Sequence, residues 1–349
     1  MHDTPEWARA HGPGLFTASI RAHPSDFVVV ESCSIEFSGD GEHDYLWIEK
    51  TGANTHWVAE CLAKHGGVPV RDVGYAGLKD RHAVTRQWFS VRRTASVDWN
   101  AFTVEGVVIL EKQVHRRKLR RGAHSGNTFR IALRSDDIDA NLEAIENRIA
   151  IIDQCGVPNY FGEQRFGRGG GNIELCRQLF AGRKLPRHKR GIALSAARSL
   201  IFNDILDARV KQGSWNTILP GELANLDGSA SVFAVEEVDD ELVARCNAHD
   251  IHASGSLWGV GAPQSTRDVA QLEGEVAHSH AEITAGLIKA KVDASSRLLR
   301  LIVRDLQCTV EKDVCWLEFS LRKGGYATTV LREIVHVNDE AANRMFADL

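Results

Sequence analysis

The segment GYAGLKDRHAVTRQWFSV, residues 74–91, combines a glycine-bracketed turn with the start of an apolar strand. Within the turn, Asp80 stands between Lys79 and Arg81. Opposite charges nearby favour the ionised form of a carboxylate, so we expect Asp80 to be an anion at neutral pH. Such a group suits a nucleophile or an electrostatic stabiliser better than a proton donor. The charge pattern alone favours a salt-bridged surface carboxylate, because ion pairs in loops are common and weak.

The composition of the 349 residues is typical of a soluble globular protein, with 25% charged and 43% hydrophobic residues. This length suits two ordinary domains or one domain with a large insertion. No apolar run predicts a membrane span, and the polar N-terminus does not resemble a secretory signal. The seven cysteines are odd in number and never spaced as CxxC. This favours reduced thiols in the cytoplasm over a disulfide framework or a structural zinc site.

The charges are distributed unevenly along a chain whose formal net charge is −4. Basic runs occur at 115–121 and 183–190, whereas acidic residues cluster at 236–241 and 271–282. Each basic run alone could be a solvated loop. Two of them in one acidic chain favour a nucleic-acid surface, because Lys and Arg neutralise phosphates and so supply most sequence-independent affinity.

Strand patterns cluster towards the two ends of the chain. Apolar residues recur at intervals of three and four over 135–153, which predicts a long helix. A second helix is predicted over 195–210 with Ser195 as its N-cap, and the span 211–280 is predicted to be rich in loops. The predicted strands lie at 25–49 (as a pair), 102–110, 128–133, 298–303, 307–310 and 314–321.

This order of elements fits a core domain interrupted by an insertion. The core would comprise residues 1–152 plus 300–349, and the inserted domain would comprise residues 153–299. Two tandem domains fit the pattern equally well.

Two other motifs could indicate a cofactor or a metal, but neither is complete. The glycine-rich run within 157–172 lacks the Gly-Lys-Ser/Thr of a P-loop and the preceding strand of a dinucleotide fingerprint. The HxH at 278–280 lies in a polar, acidic tract without a third ligand at the usual spacing. We therefore expect no nucleotide cofactor and no metal site.

Several segments together resemble the TruD family of tRNA pseudouridine synthases. Residues 74–91 are similar to that family's signature over nearly their whole length. The other segments that resemble family motifs are HPSDFVVVE (23–31), RRGAHSGNTFRI (120–131), VPNYFGEQRFGRGGGN (157–172), SAARSLIFNDILDARV (195–210) and FSLRKGGYATTVLRE (319–333). The resemblance covers most of the chain and favours the insertion over tandem domains.

The resemblance implies that Asp80, the last residue of GLKD, is the catalytic nucleophile. It attacks either the sugar C1′ or C6 of the uracil, and the sequence leaves both open. Lys79 or Arg81 would keep Asp80 anionic, although either could instead contact phosphate.

The resemblance also implies three substrate-binding residues. Phe27 would place its ring against the target base, although a strand of three valines follows it and a core position fits equally. Asn127 would contact the substrate, although Asn beside Gly is also common in turns. Tyr326 would line the base pocket where the family often has Phe. The family commonly has Pro before the glycine turn, whereas this chain has Arg322-Lys323.

The implied fold is α+β, with a mixed, largely antiparallel pseudouridine-synthase sheet core and an inserted α/β domain flanking an RNA-binding cleft. The implied reaction isomerises uridine, expected at position 13 of tRNA, to pseudouridine. It needs no metal, nucleotide or redox cofactor, because nothing is exchanged with an outside donor. We expect a cytoplasmic monomer that binds tRNA. The alternative is a non-catalytic RNA-binding protein or tRNA-folding chaperone.

Overall fold

The structure is a computed structural model that describes residues 5–94 and 97–347. Its strands are β1 (Thr17–Ile20), β2 (Phe27–Ser32), β3 (His43–Thr51), β4 (Val73–Tyr75), β5 (Val84–Arg92), β6 (Val107–His115), β7 (Gly126–Arg134), β8 (Val157–Pro158), β9 (Leu223–Leu226), β10 (Val232–Ala234), β11 (Ile251–Leu257), β12 (Ser295–Leu298), β13 (Arg300–Leu301), β14 (Arg304–Glu311), β15 (Val314–Arg322) and β16 (His336–Asp339). Its helices are α1 (Thr55–His65), α2 (Leu142–Cys155), α3 (Gly171–Phe180), α4 (Arg187–Lys211), α5 (Asp240–Asn247), α6 (Arg267–Ser279), α7 (Ala281–Lys289), α8 (Ala327–Ile334) and α9 (Glu340–Ala347).

The chain divides into two compact units. The first unit comprises Met1–Pro13, Gln154–Ile302 and Tyr326–Glu333. The second unit comprises Gly14–Asp153, Val303–Gly325 and Ile334–Leu349. The functional division into a catalytic core and an inserted domain stays a prediction.

The second unit is built on one large sheet with the strand order β14-β15-β7-β2-β5-β3-β6. β1 pairs with β7 and β16, and β4 pairs with β5. Within this sheet β2 runs parallel to β5 and β1 parallel to β16, whereas the other described pairs are antiparallel. This confirms the predicted α+β class and the mixed, largely antiparallel sheet.

Helix α1 covers part of this sheet and encloses a core. Val58 and Leu62 of α1 share a buried cluster with Ile48 of β3 and Phe89 of β5, and all four are 0% exposed. Complete burial of such a side chain is worth about 1.5–3 kcal/mol, so this cluster holds β3 and β5 firmly in register. The turn that carries Asp80 lies between β4 and β5 and rests on this rigid base.

The first unit has its own core around the long helix α4. Phe202 and Ile205 of α4 are buried in one cluster with Trp7 and Phe166. A small sheet with the order β10-β9-β11-β12 and the pair β13-β8 complete the unit. The span 211–280, predicted to be rich in loops, is about half loop; β9, β10, β11, α5 and α6 occupy the other half.

In the part of the chain that the structure describes, none of the helices has both the length and the apolar character that crossing a membrane requires.

Candidate active site

The turn that carries Asp80 is fixed to the sheet by buried polar side chains. The backbone N–H of Lys79 donates to Thr55 Oγ1 at 3.0 Å, and Thr55 in turn donates to Gln87 Oε1 at 3.2 Å. Gln87 Nε2 donates to the carbonyl oxygen of Gly77 at 3.0 Å. Thr55 and Gln87 are both 0% exposed, so their polar groups depend on these bonds. The turn is therefore held in one conformation.

Lys50 supports the same turn from within the protein. Its Nζ donates to the carbonyl oxygens of Ala53 and Asp80, both at 2.8 Å, and the residue is 0% exposed. Burial lowers the pKa of the Lys50 ammonium to about 8, although the nearby Asp80 carboxylate opposes the shift. Lys50 thus anchors the backbone of Asp80 and adds a positive charge behind it.

The Asp80 carboxylate has a fixed partner on each oxygen. Its Oδ2 forms an ion pair with Arg21, and its Oδ1 accepts a hydrogen bond from the backbone N–H of His82 at 2.9 Å. The Arg21 guanidinium is shared with Asp339, whose Oδ1 lies 3.0 Å from Arg21 Nε. The side chain of Asp80 remains 26% exposed, so a reacting group can reach it.

Lys79 faces Glu31 and Asn127. Its Nζ lies 3.0 Å from Glu31 Oε2 and donates to Asn127 Oδ1 at 2.5 Å. Glu31 and Asn127 are directly opposite each other in the pairing of β2 with β7. Burial raises the pKa of Glu31, although Lys79 opposes the shift. The three groups form a cluster in which Lys79 bridges the two strands; the side chains of Lys79 and Glu31 are buried, whereas Asn127 is half-buried.

Arg81 lies on the outer side of the turn. Its side chain is exposed and its Nε donates to the carbonyl oxygen of Gly52 at 3.2 Å. In the structure the cation paired with Asp80 is Arg21, which sequence reasoning did not single out. Arg21 lies 59 residues before Asp80, so no local spacing could have revealed the pair.

Phe27 belongs to the core at the start of β2. It is 7% exposed, and its ring meets Phe129 edge to face with centroids 6.3 Å apart. The Arg21 guanidinium carbon lies 5.7 Å from the Phe27 ring centroid. Phe27 is thus next to the cation that pairs with Asp80, and its contact with a base stays a prediction.

Tyr326 belongs to the first unit and is held by Arg165. Arg165 donates to the Tyr326 hydroxyl at 2.7 Å and to Ser195 Oγ at 2.9 Å. The rings of Tyr326 and Phe161 are close, with centroids 6.1 Å apart. The place of Tyr326 in the base pocket stays a prediction, as do the roles of the other site residues.

The second unit provides a partly exposed carboxylate, Asp80, whose two oxygens and backbone are fixed. The Lys79 residue next to it joins the buried Glu31 carboxylate to the half-buried Asn127 amide. Such preorganisation suits nucleophilic attack, because little reorientation is needed when the reaction begins. Among the described residues, no group of three or more His, Cys, Asp or Glu is arranged to hold a metal ion.

Comparison with known proteins gives consistent matches over nearly the whole chain. The model of the tRNA pseudouridine synthase D (TruD) family matches residues 10–175 and 177–334. The chain is 45% identical to the tRNA pseudouridine synthase D of Methylococcus capsulatus, over 95% of each chain. It is 43% identical to that of Nitrosococcus oceani, over 96% of this chain and 95% of the relative.

A solved structure from Methanosarcina mazei, described under the same name, has a TM-score of 0.75 at 20% identity and covers 97% of each chain. At that identity the likeness supports the fold. Together the fold and the matches place the chain in the class of tRNA pseudouridine synthases. Within that class, the chain belongs to the tRNA pseudouridine synthase D (TruD) family.

Proposed function

We propose that the chain isomerises uridine 13 of tRNA to pseudouridine, with Asp80 as the nucleophile. Membership of the family makes the chain an isomerase that acts on uridine in tRNA. The observation that carries the assignment to Asp80 is its carboxylate, which is partly exposed yet fixed by Arg21 and the N–H of His82. Such a group is positioned for attack before the substrate arrives.

The reaction breaks the bond between N1 of uracil and C1′ of the ribose and forms one between C5 and C1′. The proton on C5 leaves, and N1 gains one, so no outside donor is needed. Asp80 attacks either C1′ or C6 and is released when the base has turned over. The target uridine must first leave its stack, which costs a few kcal/mol.

Arg21 would orient the Asp80 carboxylate and compensate its charge. Because Arg21 is also held by Asp339, its guanidinium is fixed before the substrate binds. A charge-assisted hydrogen bond of this kind is stronger than a neutral one and maintains the direction of attack.

Asn127 would hold the uracil. Its Oδ1 accepts from Lys79, so its amide N–H groups remain to donate to a carbonyl oxygen of the base. Lys79 in this arrangement positions Asn127 and balances Glu31, rather than neutralising Asp80. Arg81, which is exposed beside the turn, would contact a phosphate of the bound RNA.

Phe27 and Tyr326 would supply apolar contacts that replace the stacking the base has lost. Stacking of a base on an aromatic ring is worth about 1–3 kcal/mol. Phe27 is largely buried, so it would touch the base through its exposed edge. The hydroxyl of Tyr326 is held by Arg165, which fixes the orientation of that ring.

We also expect the protein to be a monomer in the cytoplasm.

The direct test is incubation of the purified protein with total tRNA from a strain that lacks this activity. New pseudouridines are then mapped by carbodiimide modification and primer extension. The proposal predicts a new pseudouridine at position 13 of a subset of tRNAs. Binding of tRNA without any new pseudouridine would instead support a non-catalytic RNA-binding protein or chaperone.

A further inference from the structure

We propose that a groove on the second unit binds the phosphodiester backbone of the substrate tRNA, next to the nucleotide that is isomerised. This inference rests on the proposed function and adds a binding site to it. The groove has a volume of about 480 Å³. We call it the basic groove, and its permanently charged lining residues are Arg71, Lys118, Arg120 and Arg121.

The charge of the basic groove has one sign. None of the described residues that line it is Asp or Glu. Carboxylates do stand near the lining: Asp72 lies between Arg71 and Val73 in the chain, and Glu60 Oε1 lies 3.5 Å from the Nε2 of His56. Four cations around one groove repel one another, and in a chain of net charge −4 they mark a local site for an anion. A phosphodiester backbone supplies several anions at regular spacing.

The groove is built into the sheet rather than formed by a loose loop. Leu119 N–H donates to Ser90 Oγ at 3.0 Å, and Gly122 N–H donates to the carbonyl oxygen of Ala76 at 2.8 Å. A Cβ at Gly74 would lie only 2.4 Å from the carbonyl oxygen of Leu119, so only glycine allows this close approach. The loop between β6 and β7 is therefore fixed against β4 and β5.

Two of the cations are themselves held in place. The Arg121 guanidinium carbon lies 3.6 Å from the ring centroid of Tyr75, which is buried. Lys118 Nζ donates to the carbonyl oxygen of Arg71. Side chains that are already ordered lose less conformational entropy when they bind an anion. Arg116 differs from them, because Asp40 already neutralises it at 2.9 Å.

The groove adjoins the candidate active site along the chain. Tyr75 is the last residue of β4, and the turn that carries Asp80 follows directly. The loop that supplies Lys118, Arg120 and Arg121 leads into β7, whose second residue is Asn127. Asp80 follows Tyr75 by five residues, which limits the distance between them to about 18 Å. An RNA strand whose target nucleotide lies at Asp80 would therefore bring its neighbouring phosphates towards the groove.

The test compares the double variant Arg71→Ala/Arg120→Ala with the single variant Arg116→Ala. The affinity for unmodified tRNA is measured by filter binding from about 50 to about 200 mM KCl. The logarithm of the binding constant falls linearly with the logarithm of the salt concentration, and each lost phosphate contact reduces the steepness of this fall by about 0.7–0.9. We expect the double variant to lose about 1.5 from this slope and to bind about tenfold more weakly at low salt. The control should match the wild type.

A second comparison separates binding from chemistry. At subsaturating tRNA the double variant should form pseudouridine more slowly, in proportion to its weaker binding, and Arg120→Glu should weaken binding more than Arg120→Ala. If the double variant and Arg116→Ala have equal dissociation constants and equal salt dependence, the proposal that the basic groove binds tRNA is refuted, whatever their rates of pseudouridine formation. A groove-dependent slope in a wild-type protein that forms no pseudouridine would leave the groove standing and refute the proposed function.

Discussion

At the scale of single residues, the ion pair between Arg21 and Asp80 is the central contact of the candidate site. The sequence shows Asp80 between two cations, yet the structure pairs Lys79 with Glu31 and directs Arg81 to a backbone carbonyl. Neighbours in sequence on a tight turn point in different directions, so adjacency does not predict an ion pair. Arg21 reaches Asp80 only because the fold brings together residues 59 positions apart.

Replacing Arg21 should therefore impair the chemical step. Arg21→Ala removes the cation that orients Asp80, so we expect the single-turnover rate of pseudouridine formation to fall at least tenfold, about 1.4 kcal/mol. Arg21→Lys should recover part of the rate, because it keeps the charge but not the fork shared with Asp339. The dissociation constant for tRNA should change little.

A matched control is Arg130→Ala, which removes an exposed cation that pairs with Glu318 at 2.9 Å. Thermal melting of each variant reports folding. A wild-type rate for a well-folded Arg21→Ala protein would contradict the orienting role.

Lys50 predicts a distinctive dependence of stability on pH. Its pKa in the folded protein is about 8, whereas the ordinary value is 10.5. Between these values the unfolded chain binds more protons than the folded one, so the contribution of Lys50 to the free energy of unfolding rises with pH. Below pH 8 both states are protonated, and this contribution is constant. Lys50→Met should remove this rise, as measured by denaturant unfolding from pH 7 to 10.5. If the free energy of unfolding of the variant rises with pH as steeply as that of the wild type, the lowered pKa of a buried Lys50 is refuted.

At the scale of elements, sequence patterns located most strands of the large sheet but missed β8 to β11 of the first unit, and they misplaced several ends. The helix predicted over 135–153 begins at Leu142, because the chain first forms a 3-10 helix at Asp139–Asn141. The helix predicted from Ser195 begins at Arg187, after Pro186, so the prediction of Ser195 as N-cap is wrong. Ser195 lies within the helix and accepts from Arg165, a long-range contact that no local pattern predicts.

The strand predicted over 102–110 also begins later, at Val107. Val107 N–H donates to the carbonyl oxygen of Val104 at 3.1 Å, which closes a turn. Gly106 lies within this turn, and glycine in an apolar run commonly interrupts a strand. The apolar pattern continued through the turn, so the pattern alone placed the strand too early.

The contact between β7 and β15 predicts a strong effect at Gly126. A Cβ there would lie 2.3 Å from the carbonyl oxygen of Leu321, so Gly126→Ala forces the two strands apart. Because Asn127 is the next residue, its amide should move as well. We expect a loss of about 1–3 kcal/mol of stability and a lower isomerisation rate.

The control for this variant is Gly191→Ala, within α4, where an added Cβ meets nothing within 4 Å. Alanine favours helix over glycine by about 0.5–1 kcal/mol, so this variant should be as stable as the wild type or more so. A wild-type melting temperature for Gly126→Ala would refute the close packing of these strands.

At the scale of the whole molecule, the sequence predicts the class of fold and the family, because motifs spread from residue 23 to residue 333 each resemble the same family. The mixed sheet and the family are confirmed. The pairing of Arg21 with Asp80 could not be predicted, since it depends on the parallel alignment of β2 with β5. The roles of Phe27, Asn127 and Tyr326 stay predictions.

The most direct test of the central claim is the variant Asp80→Asn, which preserves size but removes the nucleophilic charge. Wild type and variant are incubated with unmodified tRNA, and pseudouridine at position 13 is measured by carbodiimide modification and primer extension. We expect the variant to bind tRNA with nearly the wild-type dissociation constant and to form no detectable pseudouridine. Substantial turnover by Asp80→Asn would contradict the assignment of Asp80 as the nucleophile.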